Sequence, residues 1–219
     1  MLIDYHIHSE YSDDSVEKME VIIKTAIEKN ISEICFTDHV DYGIKIDHDI
    51  FEQMNDEEKQ KIGKLLNVNY PNYFKEIEIL KNKYKDQITI KQGLEFGMQT
   101  HTVEKFQQVF DSYNLDFIIL SCHQVNDKEF WNHNYQNGKT EDEYNLEYYE
   151  EIYKCIHLYH DYSVLGHLDL IQRYNKMIYP FEKSRDIITK ILEKVIKENK
   201  GIEVNTSSFA YKLKDFTPS

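Results

Sequence analysis

The chain has 219 residues, of which 41% are hydrophobic, and its 39 acidic residues outnumber 26 basic ones to leave a formal net charge of −13. Such a length can bury the core of one domain, so we treat residues 1–219 as a single domain. The acidic balance argues against nucleic-acid partners, and no apolar run approaches the roughly 18 residues of a transmembrane helix.

We expect a cytoplasmic protein with no membrane contact. The N-terminal residues lack the basic and apolar regions of a signal peptide. Three cysteines, Cys35, Cys122 and Cys155, form no CxxC pair and suit a reducing compartment.

Strand-like and helix-like segments alternate along the chain. Short apolar or alternating runs predict six strands, at residues 2–8, 31–39, 88–96, 116–123, 163–167 and 201–205. Apolar residues at helical spacing predict five helices, at residues 15–30, 73–86, 102–113, 141–161 and 180–200. Residues 40–71 have the polar composition of a loop, and loops of that length are usually functional or partly structured.

Two helix starts carry local signals. Asp14, with Glu17 three residues later, resembles a capping box for the first helix, and Pro180 stands at the start of the last. Strands that alternate with helices indicate βαβ units and a parallel sheet, so the predicted fold class is α/β.

Polar side chains are concentrated at the carboxyl ends of the predicted strands. In chain order these residues are His6 and His8, Asp38 and His39, Glu95, His123, His167 and Asn205. Active sites of α/β folds form at that end of the strands. We therefore expect the side chains from separate strands to meet at one site.

The residue types at these strand ends favour metal binding. His6 and His8 project from the same face of a strand, and two neutral imidazoles suit zinc or a transition metal. Glu95 can supply a carboxylate that bridges two ions. His39 with either Asp13 or Asp14 could hold a second ion, and His123 with His167 could hold a third. Ions about 3.5–4 Å apart clamp phosphoryl oxygens and activate water.

Several short motifs, in their order, resemble the PHP (polymerase and histidinol phosphatase) family. They are HIH, FTDH, GLEFG, SCH and GHLDL, and the resemblance extends from residue 3 to about 208. The stretches FTDHVDYG, GLEFG, GHLDLIQRY and EVNTSSF are most similar to the histidinol-phosphatase branch. This resemblance implies a distorted seven-stranded (β/α) barrel of TIM-like type. It also implies a trinuclear metal centre that hydrolyses L-histidinol phosphate, a small phosphorylated substrate of histidine biosynthesis.

The resemblance also implies roles for single residues. His6 and His8 would bind the first ion with Glu95 bridging, and His39 with Asp13 or Asp14 would bind the second. His123 and His167 would bind the third together with Glu95. Two to three divalent ions of zinc, manganese or iron are expected. Arg173 would grip the substrate phosphate, because a guanidinium matches phosphate oxygens in a bidentate fork. The nucleophile would be a hydroxide held by the metals, with no separate catalytic side chain.

One family motif does not occur in the sequence. Members place an Asp-x-His motif on a seventh strand, whereas this sequence ends with KDFTPS at residues 214–219. We therefore expect a chain truncated at its C-terminus that lacks the last strand or strands. A natural short form with an incomplete centre and weak activity is the other explanation.

Two other functions compete with histidinol-phosphate hydrolysis. A PHP phosphoesterase that acts on nucleotides would keep the same fold and metals. A non-catalytic metal-binding module would account for the missing last ligand motif.

Overall fold

The computed structural model describes residues 1–63, 65–175, 178–210 and 216–218. The chain divides into two compact units. The N-terminal unit comprises residues 1–96 and 113–119, and the C-terminal unit comprises residues 97–112 and 120–219. Among the described residues, no helix is both long and apolar enough to cross a membrane.

The N-terminal unit is built from strands that lie side by side with helices between them in the chain. Its strands are β1 (Leu2–Ile7), β2 (Ile31–Phe36), β3 (His39–Val40), β4 (Thr89–Gly97) and the start of β5 (Phe117–Ser121). Its helices are α1 (Met19–Glu28), α2 (His48–Gln53), α3 (Asp56–Ile62) and α4 (Tyr70–Tyr84). The strand order is β1-β2-β4-β5, with β3 also paired to β4. The β1–β2, β2–β4 and β3–β4 pairs are parallel.

The C-terminal unit continues the same alternation. It contains α5 (Val103–Ser112), a β6–β7 hairpin (Gln124–Val125 and Lys128–Glu129), α6 (Glu141–Leu158), β8 (Val164–Leu165), α7 (Phe181–Lys197) and β9 (Gly201–Ile202). The end of β5 lies beside β8, which pairs in parallel with β9. Short 3-10 turns cover Thr100–Thr102, Leu170–Tyr174 and Ser207–Phe209. The predicted α/β class with a parallel sheet is confirmed, as expected for part of a (β/α) barrel.

Each unit contains fully buried apolar side chains. In the N-terminal unit, α1, β2, α4 and β4 bury side chains that are fully shielded from solvent: Met19, Ile23, Ile34, Phe36, Tyr73, Ile77, Leu94 and Phe96. In the C-terminal unit the core is rich in aromatic rings, including Phe106, Phe130, Tyr135, Tyr148, Tyr149 and Tyr159. These cores hold the strands in place, and the strands in turn set the positions of the polar residues at their ends.

The predicted start of the first helix is wrong. Helix α1 begins at Met19, its cap residue Lys18 makes no side-chain bond to the helix, and Val16 is 87% exposed. The Glu10 amide instead donates to the Glu17 carbonyl at 2.8 Å, which closes residues 10–17 into a loop. Asp14 and Glu17 therefore match the sequence pattern of a capping box, but they lie in this loop and do not cap a helix.

Residues 40–71 are partly helical rather than an open loop. Helices α2 and α3 lie within this stretch, and Asn55 with Glu58 forms a complete capping box at the start of α3. Neither helix buries a residue, so neither has the apolar stripe by which helices are recognised in a sequence. The other predicted elements are present with different bounds: most are shorter, but α4 begins three residues earlier than predicted, at Tyr70, and the strand predicted at 31–39 is divided into β2 and β3. Pro180 is the cap residue of α7.

Gly93 in β4 is required by a close approach to the neighbouring strands. A Cβ atom at this position would overlap the Phe117 carbonyl oxygen and would lie 2.9 Å from the Cys35 sulfur. The glycine lets β4 lie close to its neighbours, and β4 carries Glu95 two residues later. Gly201 in β9 is a milder case, since a Cβ there would meet the Val164 side chain at 2.9 Å.

We expect Gly93→Ala to lower the free energy of unfolding by about 1–3 kcal/mol, the usual cost of overpacking, because the backbone oxygen cannot move aside. Gly201→Ala should cost less, because a valine side chain can shift. Urea unfolding followed by circular dichroism measures both. Equal stability of Gly93→Ala and the unchanged protein would contradict the close packing of β4.

Candidate metal centre

The carboxylate of Glu95 is the centre of a histidine cluster in the N-terminal unit. Glu95 is fully buried, and its Oε2 atom lies 2.9 Å from His6 Nε2, 3.3 Å from His8 Nε2 and 3.1 Å from His39 Nε2. The three imidazoles are only 14–17% exposed. Three ring nitrogens therefore surround one buried carboxylate oxygen, as the positions of these residues at strand ends predicted.

Strand geometry delivers these side chains to one place. Alternate residues of a strand project from the same face, so β1 directs His6 and the following His8 together. Their ring centroids are 4.9 Å apart, and those of His8 and His39 are 4.4 Å apart. His39 starts β3 and is the register partner of Glu95 in β4, which places these two side chains side by side.

The donor set suits a divalent metal ion. One ligand atom each from His8, His39 and Glu95 lies within 4.8 Å of the other two. Two imidazoles and a carboxylate are ligands that zinc and other transition ions accept, and these ions bind with open positions for water or substrate.

Burial alone would lower the pKa of His39. The negative charge of Glu95 and hydrogen bonds to Asp41 and Glu95 outweigh burial and hold the pKa well above its ordinary value.

The two aspartates after the HIH motif have different partners. Asp14 Oδ2 lies 3.5 Å from His39 Nε2, the ring nitrogen that also faces Glu95. Asp13 Oδ1 accepts a hydrogen bond of 2.6 Å from the Lys45 ammonium. Of the two predicted alternatives, Asp14 is thus the one beside the histidine cluster, and Asp13 is turned to Lys45.

Asp41 and Lys45 were not predicted from the sequence. Asp41 Oδ2 lies 3.4 Å from His39 Nδ1 and 2.9 Å from Lys45 Nζ, and the Asp41 and Lys45 side chains are only 6% and 5% exposed. A carboxylate on the second nitrogen of a histidine fixes the ring orientation of metal-binding histidines. The HxD spacing of His39 and Asp41 in FTDHVD was a usable signal, because it places both side chains on one strand face.

Asp38 has a structural part in the site rather than a place among the metal donors. This buried carboxylate accepts hydrogen bonds from the Ser9 amide at 2.7 Å and from the hydroxyls of Ser9 and Ser12 at 2.9 and 2.7 Å. Ser12 also accepts a bond from the His39 amide. Burial, against the effect of these hydrogen bonds, raises the Asp38 pKa to about 6. Asp38 therefore ties the loop that carries Asp13 and Asp14 to the end of β2.

The C-terminal unit holds a second pair of predicted ligands. His123 and His167 bring their Nε2 atoms to 3.5 Å from each other, and the Ser121 hydroxyl lies 3.4 Å from His167 Nε2. The His167 amide donates to Glu203 Oε2 at 2.8 Å. Two imidazole nitrogens this close can share one ion, so the predicted pairing of His123 with His167 is geometrically available.

Arg173 lies six residues after His167, in the 3-10 turn of residues 170–174. Its guanidinium donates to the Ser207 hydroxyl at 2.8 Å. Ser207 belongs to a short network in which Asn205 accepts from the Ser207 amide and donates to Glu203. Glu203 is thus linked both to His167 and, through Asn205 and Ser207, to Arg173. The sequence singled out Asn205 as a strand end, but Glu203 and Ser207 were missed.

Known proteins match almost the whole chain. The model of the PHP domain matches residues 4–207. The histidinol-phosphatase of Lactococcus lactis is 32% identical, over 94% of this chain and 72% of its own length. The probable histidinol-phosphatase of Clostridium acetobutylicum is 25% identical, over 94% of this chain and 73% of its own length.

Solved structures are also similar to this chain. The crystal structure of the Lactococcus lactis histidinol phosphate phosphatase, complexed with zinc, L-histidinol and phosphate, superimposes with a TM-score of 0.82 at 31% identity. The superposition covers 95% of this chain and 74% of the Lactococcus lactis chain. A structure from Listeria monocytogenes, at 18% identity and a TM-score of 0.68, supports the fold. The match to the family model over residues 4–207 shows that this chain belongs to the PHP domain family, and the Lactococcus relative places it in the histidinol-phosphatase branch.

Proposed function

We propose that this chain is a metal-dependent phosphatase that hydrolyses L-histidinol phosphate to L-histidinol and phosphate. The observation that carries the proposal is the convergence of His6, His8 and His39 on the buried carboxylate of Glu95. The Lactococcus relative, with zinc, L-histidinol and phosphate bound, supports the substrate. The cytoplasm fits this role, since the three cysteines are free and buried.

His6, His8 and His39 lie around Glu95, and His123 lies beside His167. His6 and His8 with Glu95 would hold a first divalent ion, and His39 with Glu95 would hold a second. His123 and His167 would hold a third. Zinc, manganese and iron all accept imidazole and carboxylate ligands. When bound, such ions lower the pKa of a water toward 7 and neutralise charge on phosphoryl oxygens.

Asp14 is our choice for the acidic ligand of the second ion. It lies 3.5 Å from His39 Nε2, whereas Asp13 is held by Lys45 at 2.6 Å. Turning Asp13 toward an ion would break its pair with a lysine that is only 5% exposed. Asp14 has no such constraint and is half exposed, so it can reach an ion at little cost.

The chain's own residues orient the substrate and the ligands. Arg173 would grip the phosphate through parallel N–H donors, and its bond to Ser207 holds the guanidinium in one direction. Asp41 orients the His39 ring through Nδ1, so that Nε2 faces the site. Water is excluded from Glu95, which strengthens its interaction with bound cations.

The substrate is tested by loading the purified chain with Zn²⁺ or Mn²⁺ and measuring phosphate release. L-histidinol phosphate should be turned over far faster than a panel of nucleoside mono- and diphosphates. Turnover of nucleotides alone would overturn the histidinol-phosphate assignment. Bound metal without any phosphatase activity would favour a metal-binding module.

His8→Ala removes one of the three imidazoles around Glu95. Losing the outer hydrogen-bond partner of a metal ligand typically costs about 10–100-fold in activity. We expect His8→Ala to lower kcat/KM by more than this, because a ligand itself is lost. His157→Ala is the matched control, because His157 is an exposed histidine on α6 that contacts Tyr153 of its own helix. Equal loss in both variants would mean that His8 has no special place in the site.

The choice between the aspartates is tested by metal titration of single variants. Asp14→Asn should lower the affinity for the second ion more than tenfold, because an amide is a poorer ligand than a carboxylate. Losing a ligand should cost more than the loss of a residue that only orients a ligand. Asp13→Asn should change that affinity far less. Competition with a chromophoric chelator measures both, and the reverse order would assign the ligand role to Asp13.

Arg173→Met removes the proposed phosphate contact. Charge-assisted hydrogen bonds contribute roughly 1.5–3 kcal/mol, so KM should rise about tenfold or more. Arg185→Met serves as the control, because Arg185 is an exposed arginine paired with Glu182 on α7. An unchanged KM for Arg173→Met would remove Arg173 from the substrate site.

A further inference from the structure

Asp13, Asp41 and Lys45 form a cluster beside the proposed second metal site, which we name the lysine clamp. Lys45 Nζ lies 2.6 Å from Asp13 Oδ1 and 2.9 Å from Asp41 Oδ2. We propose that Lys45 is a positioning residue that selects Asp14 over Asp13 as the acidic ligand of the second ion. In the same role it holds Asp41 against His39. The inference rests on the metal site of the proposed function.

Lys45 is a buried charge whose place is set by its two carboxylate partners. Its side chain is 5% exposed, and a buried ammonium is costly unless it is paired and hydrogen-bonded. Burial by itself would lower the Lys45 pKa, but the negative charges of Asp41 and Asp13 raise it above its ordinary value. The lysine therefore stays charged, and its two bonds resist any movement of either carboxylate.

The backbone around Lys45 leaves the ammonium little freedom. The Lys45 amide donates to the Asp41 carbonyl at 2.8 Å, which closes a tight turn. Gly43 within this turn has a φ of +97°, a value that suits glycine. The Asp41 amide in turn donates to the buried Asn67 side chain at 2.9 Å. Both ends of the Asp41–Lys45 pair are thus fixed before any metal binds.

The contact with Asp13 removes a competitor. Asp13 and Asp14 are adjacent in an exposed loop, and both are acidic side chains of the same length. Lys45 engages Asp13, and Asp14 lies 3.5 Å from His39 Nε2. Removing the lysine would take away the positive charge that holds Asp13 and not Asp14. The second ion would then meet a mixture of ligand arrangements.

The contact with Asp41 acts on the His39 ring. Asp41 lies between Lys45 and His39 Nδ1, at 2.9 and 3.4 Å. The outer partner of a metal-binding histidine sets its ring orientation, and its loss typically weakens metal affinity by about 10–100-fold. Lys45 keeps the Asp41 carboxylate in this place, so its effect reaches the ion through Asp41 and His39.

The test compares Lys45→Met with Lys183→Met in the full chain. Lys183 makes an ion pair of the same length, 2.6 Å to Asp142, but both partners are exposed and belong to the other unit. Titration with Zn²⁺ against a chelator should show that the affinity for the second ion is about 10–100-fold lower in Lys45→Met and unchanged in Lys183→Met. The visible spectrum of bound Co²⁺, which reports ligand geometry, should change only in Lys45→Met.

A double variant separates the clamp from a general structural effect. In Lys45→Met the freed Asp13 competes with Asp14, so adding Asp13→Asn should restore part of the Co²⁺ spectrum. Lys45→Arg should keep most of the affinity, since a guanidinium can also bridge two carboxylates. If Lys45→Met does not fold by circular dichroism, Lys45→Gln, which keeps a hydrogen-bond donor without the charge, carries the comparison.

Folded Lys45→Met, or folded Lys45→Gln in its place, with unchanged Zn²⁺ affinity and an unchanged Co²⁺ spectrum would overturn the proposal. So would a double variant no closer to the unchanged protein than Lys45→Met. These readouts do not use phosphatase activity. If they behave as expected while no variant hydrolyses L-histidinol phosphate, the proposed function fails and the lysine clamp stands.

Discussion

A carboxylate shielded from water needs positive charge or hydrogen-bond donors close to it, and the site of this protein depends on that requirement at Glu95. The side chain has no exposed surface, and three imidazole nitrogens lie within 3.3 Å of one of its oxygens. The cost of burying the charge is large unless it is paired. The same arrangement that satisfies Glu95 also produces a set of ligands ready for divalent ions.

The surrounding residues hold this arrangement in place. Gly93 lets β4 approach its neighbours closely enough to bring Glu95 into register with His39. Asp38 binds two serines and so fixes the loop that follows the HIH motif. Asp41 lies beside the Nδ1 atom of the His39 ring, and Lys45 pairs with Asp41. Each of these residues acts on the histidine cluster by position.

The histidine cluster could be predicted because strand geometry is regular. Alternation along β1 places His6 and His8 on one face, and the ends of parallel strands meet at one edge, so residue type and spacing were sufficient. Which of Asp13 and Asp14 lies beside His39 could not be predicted, because it depends on which carboxylate a lysine 31 or 32 positions away engages in the fold. Loop contacts of this kind leave no periodic pattern in a sequence.

Other differences from the predictions have the same origin. The loop of residues 10–17 closes through the Glu10–Glu17 backbone bond, which overrides a local cap signal at Asp14. Helices α2 and α3 bury no residue, so they lack the apolar stripe that would have predicted them. Glu203 and Ser207 were missed because their importance comes from the partners they bind, His167 and Arg173.

In our proposal, Glu95 gathers the metal ions with which this protein hydrolyses L-histidinol phosphate. Its most direct test is a parallel measurement of bound metal and phosphate release for the unchanged chain and for Glu95→Gln, which keeps the shape and removes the charge. We predict that Glu95→Gln folds, loses bound metal and releases no phosphate above background. A Glu95→Gln variant that kept both its metal and its activity would show that the Glu95 charge does not bind the ions.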